Sequence, residues 1–94
     1  MYRLVVVGGQ DSGKAFELAP GEYVVGRSTG ASILLLDESV SRRHAVMTVT
    51  DDGVTVLDLG SHNGTHVNGR PVKSAQVVEG DEVRFGNRRL VMER

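Results

Sequence analysis

The amino-acid sequence predicts an all-β fold, an antiparallel sandwich of short strands whose function sits on loops at one end. Three observations lead there. Apolar residues, mostly Val and Leu, alternate with polar ones in short runs at a period of two. Each run is bounded by Gly, Asp, Asn or Ser, residues that suit tight turns. No window carries helical spacing with caps over three turns. Many short strands at close spacing suit two packed sheets, with the connecting loops gathered at the ends.

Taken in order, strands are expected at Tyr2–Val7, Ala15–Leu18, Glu22–Gly26, Ser32–Leu35 and His44–Thr50, then at Val54–Asp58, His66–Val67, Arg70–Pro71, Glu82–Phe85 and Arg88–Met92. Turn signals stand at Pro20–Gly21, Asp52–Gly53, Asn68–Gly69 and Gly86–Asn87, where Gly or Asn accepts positive φ. Asp52–Gly53, between two alternating runs, is the clearest hairpin signal. No internal repeat, low-complexity stretch or linker interrupts the chain, so residues 1–94 are read as a single domain.

Composition narrows the function. Aromatics are 4% of the chain, so Val, Leu and Ile must build most of the core. No 18-residue apolar run exists, and Met1–Val7 is too short for a signal peptide before Gly8 and Gly9 interrupt it. The absence of cysteine removes any dependence on disulfides and fits a cytoplasmic protein. A formal net charge of −1 gives no bulk attraction to nucleic acid or membrane surfaces, so anion binding would have to be local.

Three loops are long for hairpins and polar: Arg27–Ser32, Asp37–Arg43 and Gly60–Thr65. Arg27, directly after Gly26, offers a planar fork of donors suited to phosphate or carboxylate. Ser41, Arg42, Arg43 and His44 close the second loop, where a hydroxyl and cationic side chains can cap an anion. In the third loop Asn63 has both donor and acceptor, and so can pair with an extended peptide backbone. Each of these residues taken alone is ordinary loop surface.

Together they form an ordered pattern. Gly26-Arg27, Ser41-x-x-His44 and Asp58-Leu59-Gly60-Ser61-x-Asn63-Gly64-Thr65-x-Val67-Asn68-Gly69 resemble the signature of the forkhead-associated (FHA) domain, and the resemblance spans nearly the whole chain. It implies an FHA-like sandwich of about eleven strands whose loops at one end bind phosphothreonine in an extended partner segment. By the same resemblance Arg27 and Ser41 would contact phosphate oxygens, with Arg42 as a further contact. Asn63 would bond the peptide backbone. His62 stands where the family often has Thr, Ser or another polar residue lining the phosphate pocket, and is a departure in detail. Gly26, His44, Gly60, Gly64, Asn68 and Gly69 would shape the loops. The implied partners are phosphothreonine-containing proteins or peptides, and Ser/Thr kinases or their substrates, with no cofactor, nucleic acid or membrane. Glu38, Ser39, His62 and His66 lie near enough in sequence to meet residues that flank the phosphothreonine.

Other readings have weaker support. Gly8–Ala15 resembles a phosphate-binding loop of nucleotidases, but Ala15 replaces the Mg²⁺-binding hydroxyl and Pro20–Gly21 leave no room for the helix that should follow. No nucleophile-elbow sequence is present. His44, His62 and His66 lack metal-ligand spacing, and no catalytic role is expected. The rival is an FHA-like scaffold that binds unphosphorylated surfaces or oligomerises.

Overall fold

A computed structural model describes residues 1–94. It contains eleven strands: β1 (Tyr2–Val7), β2 (Ala15–Leu18), β3 (Gly21–Gly26), β4 (Ile33–Leu34), β5 (Ala45–Thr50) and β6 (Gly53–Asp58), followed by β7 (Thr65–Val67), β8 (Arg70–Val72), β9 (Ser74–Val77), β10 (Glu82–Phe85) and β11 (Arg88–Glu93). One sheet has the order β2-β1-β11-β10-β7-β8 and the other β4-β3-β5-β6-β9. Every pairing is antiparallel except β3 with β4. No helix is long and apolar enough to cross a membrane.

The period-two pattern becomes the core directly. Along β5 Ala45, Met47 and Val49 point inward, and along β6 Val54 and Val56 meet them across the sheet. Leu4, Val6, Leu90, Met92, Val83 and Phe85 supply the facing layer. Eighteen buried apolar residues form one cluster between the sheets, and Phe85 is the only aromatic among them. The fold class is therefore the one expected.

The differences have local causes. β9 escapes a sequence reading because it is an edge strand of four residues, with two polar side chains and one alanine before Val77. β4 shrinks to two residues and runs parallel to β3, because it returns along the edge after a loop rather than a hairpin. The β5–β6 turn lies one residue earlier than expected: Thr50 pairs with Gly53, so Asp51 and Asp52 make the turn. Asn68–Gly69 is as expected. Val67 pairs with Arg70, and φ values of +51° and +84° give the doubly left-handed two-residue turn that matches strand twist. Gly8–Ala15 connects antiparallel β1 and β2 with no helix, so the nucleotide-loop reading has no structural basis. The hairpin that follows β7 leaves β8 at the rim of its sheet, with Pro71 opposite His66.

One packing contact places the later site. A Cβ at Gly26 would lie 2.0 Å from the carbonyl oxygen of Arg42. The strand end carrying Arg27 and the loop carrying Ser41 thus touch through backbone alone. Gly26→Ala forces the two apart and is expected to cost about 2–3 kcal/mol. At about 4–8 °C per kcal/mol, the melting temperature should fall by roughly 10–20 °C. Gly30→Ala, where an added Cβ meets nothing within 4 Å, should melt like the parent. Thermal melts of both variants followed by circular dichroism check the contrast; equal melting of the two would show that the contact is not tight.

Candidate functional site

The three loops singled out in the sequence meet at one end of the sandwich, joined by backbone and side-chain hydrogen bonds. Arg27 N–H donates to Ser41 O at 3.1 Å and Ser28 N–H to Arg42 O at 3.3 Å, which zips the first loop to the second. The Arg27 side chain adds a bond from Nε to Val40 O at 2.9 Å. Ser41 Oγ accepts the His62 N–H at 3.0 Å, and Asn63 Nδ2 donates to Ser39 O at 2.8 Å, which ties the third loop to the second. Arg27, Ser41, Arg42, His62 and Asn63 therefore share one surface.

His44 is the buried link beneath them, with no exposed surface. Its Nδ1 accepts the Ser41 N–H at 3.0 Å, so that nitrogen carries no proton and Nε2 does. Nε2–H then donates to Gly64 O at 2.8 Å. The ring packs edge-on against Phe85, with centroids 5.6 Å apart. Both ring nitrogens are thus committed to backbone, and neither is available as a base for a neighbouring hydroxyl.

Asp58 organises the third loop. Its Oδ2 accepts N–H bonds from Gly60 and Ser61, both at 3.0 Å, and its Oδ1 accepts the hydroxyls of Ser61 and Thr65, both at 2.6 Å. Ser61 Oγ in turn accepts the Gly64 N–H at 2.9 Å. Partial burial is the largest single influence on this carboxyl and opposes its ionisation. The bonds from Ser61 and Thr65 outweigh it and hold the pKa below the ordinary value. Gly60 and Gly64 turn the loop at φ values of +73° and +85°.

Ser39 does the equivalent work on the second loop. Its hydroxyl donates to Asp37 Oδ1 at 2.6 Å and accepts the Asn87 N–H at 2.8 Å. Its own N–H also reaches Asp37 Oδ1, at 2.8 Å. The Ser39 hydroxyl, then its backbone N–H, lower the Asp37 pKa. Ser39 is consequently occupied within the protein rather than free to read a flanking residue. His66 faces outward from β7 beside Arg84, with its buried Nδ1 unpartnered. Burial first, and then the Arg84 charge, push its pKa down.

Asn68 and Gly69 stand apart from this surface, at the far end of β7, where Asn68 bonds Asp81 and the Glu82 N–H. They shape a hairpin, not the site loops. Asp58, Ser61 and Thr65 enter the sequence analysis only as letters of the signature, with no individual role. The Asp58-x-x-Ser61 spacing, which suits a side chain capping its own turn, was the signal available for two of them.

The cationic groups here lack internal counter-charges. None of the ion pairs involves Arg27, Arg42 or Arg43. Arg27 spends one donor, Nε, on Val40 and retains its two Nη groups. Ser41 Oγ accepts one bond and keeps its hydroxyl proton. Asn63 keeps its carbonyl oxygen as an acceptor. The arrangement can grip a compact anion beside an extended backbone.

Comparison with known proteins agrees with this geometry. Residues 5–94 match the family described as the inner membrane component of the type III secretion system, cytoplasmic domain. The glycogen accumulation regulator GarA of Mycobacterium tuberculosis is 44% identical over 88 residues, covering 94% of this chain and 54% of GarA. The chain thus spans about half the length of that curated relative. Among solved structures, the FhaA FHA domain complexed with the intracellular domain of Rv3910 superposes with a TM-score of 0.91 at 32% identity, covering 99% of this chain and all (100%) of that one. An FHA domain studied for phosphothreonine-dependent interactions gives the same TM-score, 0.91, and the same identity, 32%, over 99% of this chain and 95% of that one. Sandwich topology, loop signature and similarity along the full length converge: the chain belongs to the forkhead-associated domain family.

Proposed function

We propose that residues 1–94 form one phosphothreonine-dependent peptide-binding domain, acting as an adaptor in Ser/Thr kinase signalling. The observation that carries this reading is the cluster of uncommitted donors around Ser41: the Arg27 Nη groups, the Ser41 hydroxyl proton and the unpaired Arg42. A phosphothreonine brings about −1.5 to −2 charges and three acceptor oxygens, where threonine brings neither. His62, exposed beside Ser41, lines the same pocket in this reading. Asn63, anchored to Ser39, turns its free carbonyl oxygen to a peptide N–H. The FhaA complex and the phosphothreonine-dependent interactions of a similar domain support the assignment by likeness. Partners are then phosphorylated proteins of a kinase pathway, and a cytoplasmic location suits both that role and the lack of cysteine.

Charge-assisted hydrogen bonds contribute about 1.5–3 kcal/mol each. Arg27→Ala or Ser41→Ala should therefore weaken a phosphothreonine peptide by about ten- to a hundredfold, at 1.4 kcal/mol per decade. Asn63→Ala should weaken it less, and the matched threonine peptide should hardly bind. Calorimetric titration of the two peptides decides the matter: equal affinities would reject phosphate recognition in favour of a phosphate-independent scaffold.

The loop geometry behind this site depends on ionised Asp58. Because its folded pKa is depressed, its stabilisation is fully present above the unfolded-chain value near about 3.9 and is lost as pH falls through the lower folded value. Asp37 acts in the same direction. In denaturant melts from about pH 6 to pH 2, Asp58→Asn should show a shallower acid-side decline than the parent. Superimposable declines would assign the acid sensitivity to other carboxylates.

A further inference from the structure

The borders of the two sheets are not alike. β2 and β8 flank the six-stranded sheet, and β4 and β9 the five-stranded one. β2 carries Glu17, paired with Arg3 at 3.8 Å, β8 begins with Arg70, and β4 is two residues long. β9, Ser74–Val77, has no charge, no proline and no break in its register with β6. A free strand edge is a template for another strand, and such features are what usually blunt it. β9 has only its shortness.

Its free backbone groups can be identified. The Asp58 N–H donates to Lys73 O at 2.7 Å, so the backbone of Lys73 faces β6. By the alternation of an antiparallel ladder Ala75 and Val77 face β6 as well, while Ser74 and Gln76 turn their N–H and C=O groups to the open side. Both of these residues are exposed. Beside them a cleft of about 500 Å³ enters between the sheets, with Val67, Val72 and Ala75 among its lining.

The spacing of these groups is complementary to itself. Two β9 strands laid antiparallel about a twofold axis at Ala75 set Ser74 of each copy opposite Gln76 of the other, and each such pair can exchange both its N–H···O bonds. Ala75 then meets its own copy as a non-hydrogen-bonded pair with Cα atoms about 4.5 Å apart, a spacing that suits a small side chain. One position further on, Lys73 falls opposite Val77 of the second copy, next to the turn that carries Glu79 and Asp81. Lys73 and Glu79 are exposed, and none of the ion pairs within the chain involves either. The twofold axis therefore brings a base toward acids at both ends of the contact. Between those ends the ladder is uncharged, so pairing with itself opposes no like charges.

We propose that β9 is a self-association edge: two copies of this chain pair β9 with β9 about that axis and join their five-stranded sheets into one. A contact this small makes a weak, concentration-dependent dimer. None of Arg27, Ser41 and Asn63 belongs to the pairing, so it stands or falls apart from phosphate recognition.

Sedimentation velocity between about 1 μM and 1 mM should show monomer giving way to dimer. Gln76→Pro removes an outward N–H and leaves the ladder with β6 its bonds, and should weaken the dimer at least about tenfold. Ser74→Lys places a charge on the ladder and should do the same, with circular dichroism showing that each variant keeps the parent fold. The chain has no cysteine, so a single introduced one reports contact between copies. Ala75→Cys should form an intermolecular disulfide on mild oxidation, because about 4.5 Å between Cα atoms is within disulfide reach. Ser74→Cys is more exposed but faces Gln76 of the other copy, and should crosslink more slowly. A protein that stays monomeric throughout that range refutes the pairing. So does a dimer that survives both folded variants, or a Ser74→Cys crosslink as fast as that of Ala75→Cys.

Discussion

The site depends on one buried imidazole. His44 takes a hydrogen bond from the Ser41 backbone and gives one to Gly64, and so pins two loops separated by about twenty residues of chain to a single point. An apolar side chain of that size would leave a buried N–H and a buried C=O without partners, at about 1–3 kcal/mol for each. The hydroxyl of Ser41 is oriented because its own N–H is fixed, and the Asn63 loop is set because Gly64 is fixed. Phe85 supports the ring from the core, so the packing of the sandwich is transmitted directly to the loops. Ligand chemistry at the tip is thereby a consequence of interior geometry.

The second organising principle is the disposal of negative charge. Two carboxylates stand beside the cationic surface, Asp37 and Asp58, and both turn oxygens toward donors of their own loops. Their charge is spent stabilising tight turns, while Arg27 and Arg42 remain unneutralised. A chain whose overall charge is −1 can in this way present a local positive field. The acids are as much part of the proposed anion site as the bases, because they hold the loops without quenching the guanidinium groups.

Much of this was legible in the residues. Alternation along β1, β5, β6, β10 and β11 exposes the core, and Asn68–Gly69 names its own turn. The candidate site was legible only as a joint pattern, since Arg27, Ser41 and Asn63 lie on separate loops and none is distinctive alone. What stayed hidden involves partners distant in sequence or masked by composition. Ser39 looks like a free loop hydroxyl, yet it bridges to Asn87, 48 positions away. Thr65 reads as the end of a polar loop, but it opens β7, is buried and completes the Asp58 cage. β9 has too few apolar residues to declare itself, and the parallel course of β4 is set by tertiary contacts with β3 rather than by its own two residues.

The rim strand β8 carries a further consequence. Val67 and Arg70 close a two-residue hairpin and so exchange hydrogen bonds, which makes the next pair, His66 with Pro71, a non-bonded one. The ring nitrogen of Pro71 accordingly faces away from the sheet, where an incoming strand would look for a donor and find none. On that border the sandwich is closed to growth by further strands, a safeguard against the edge-to-edge aggregation to which open sheets are prone.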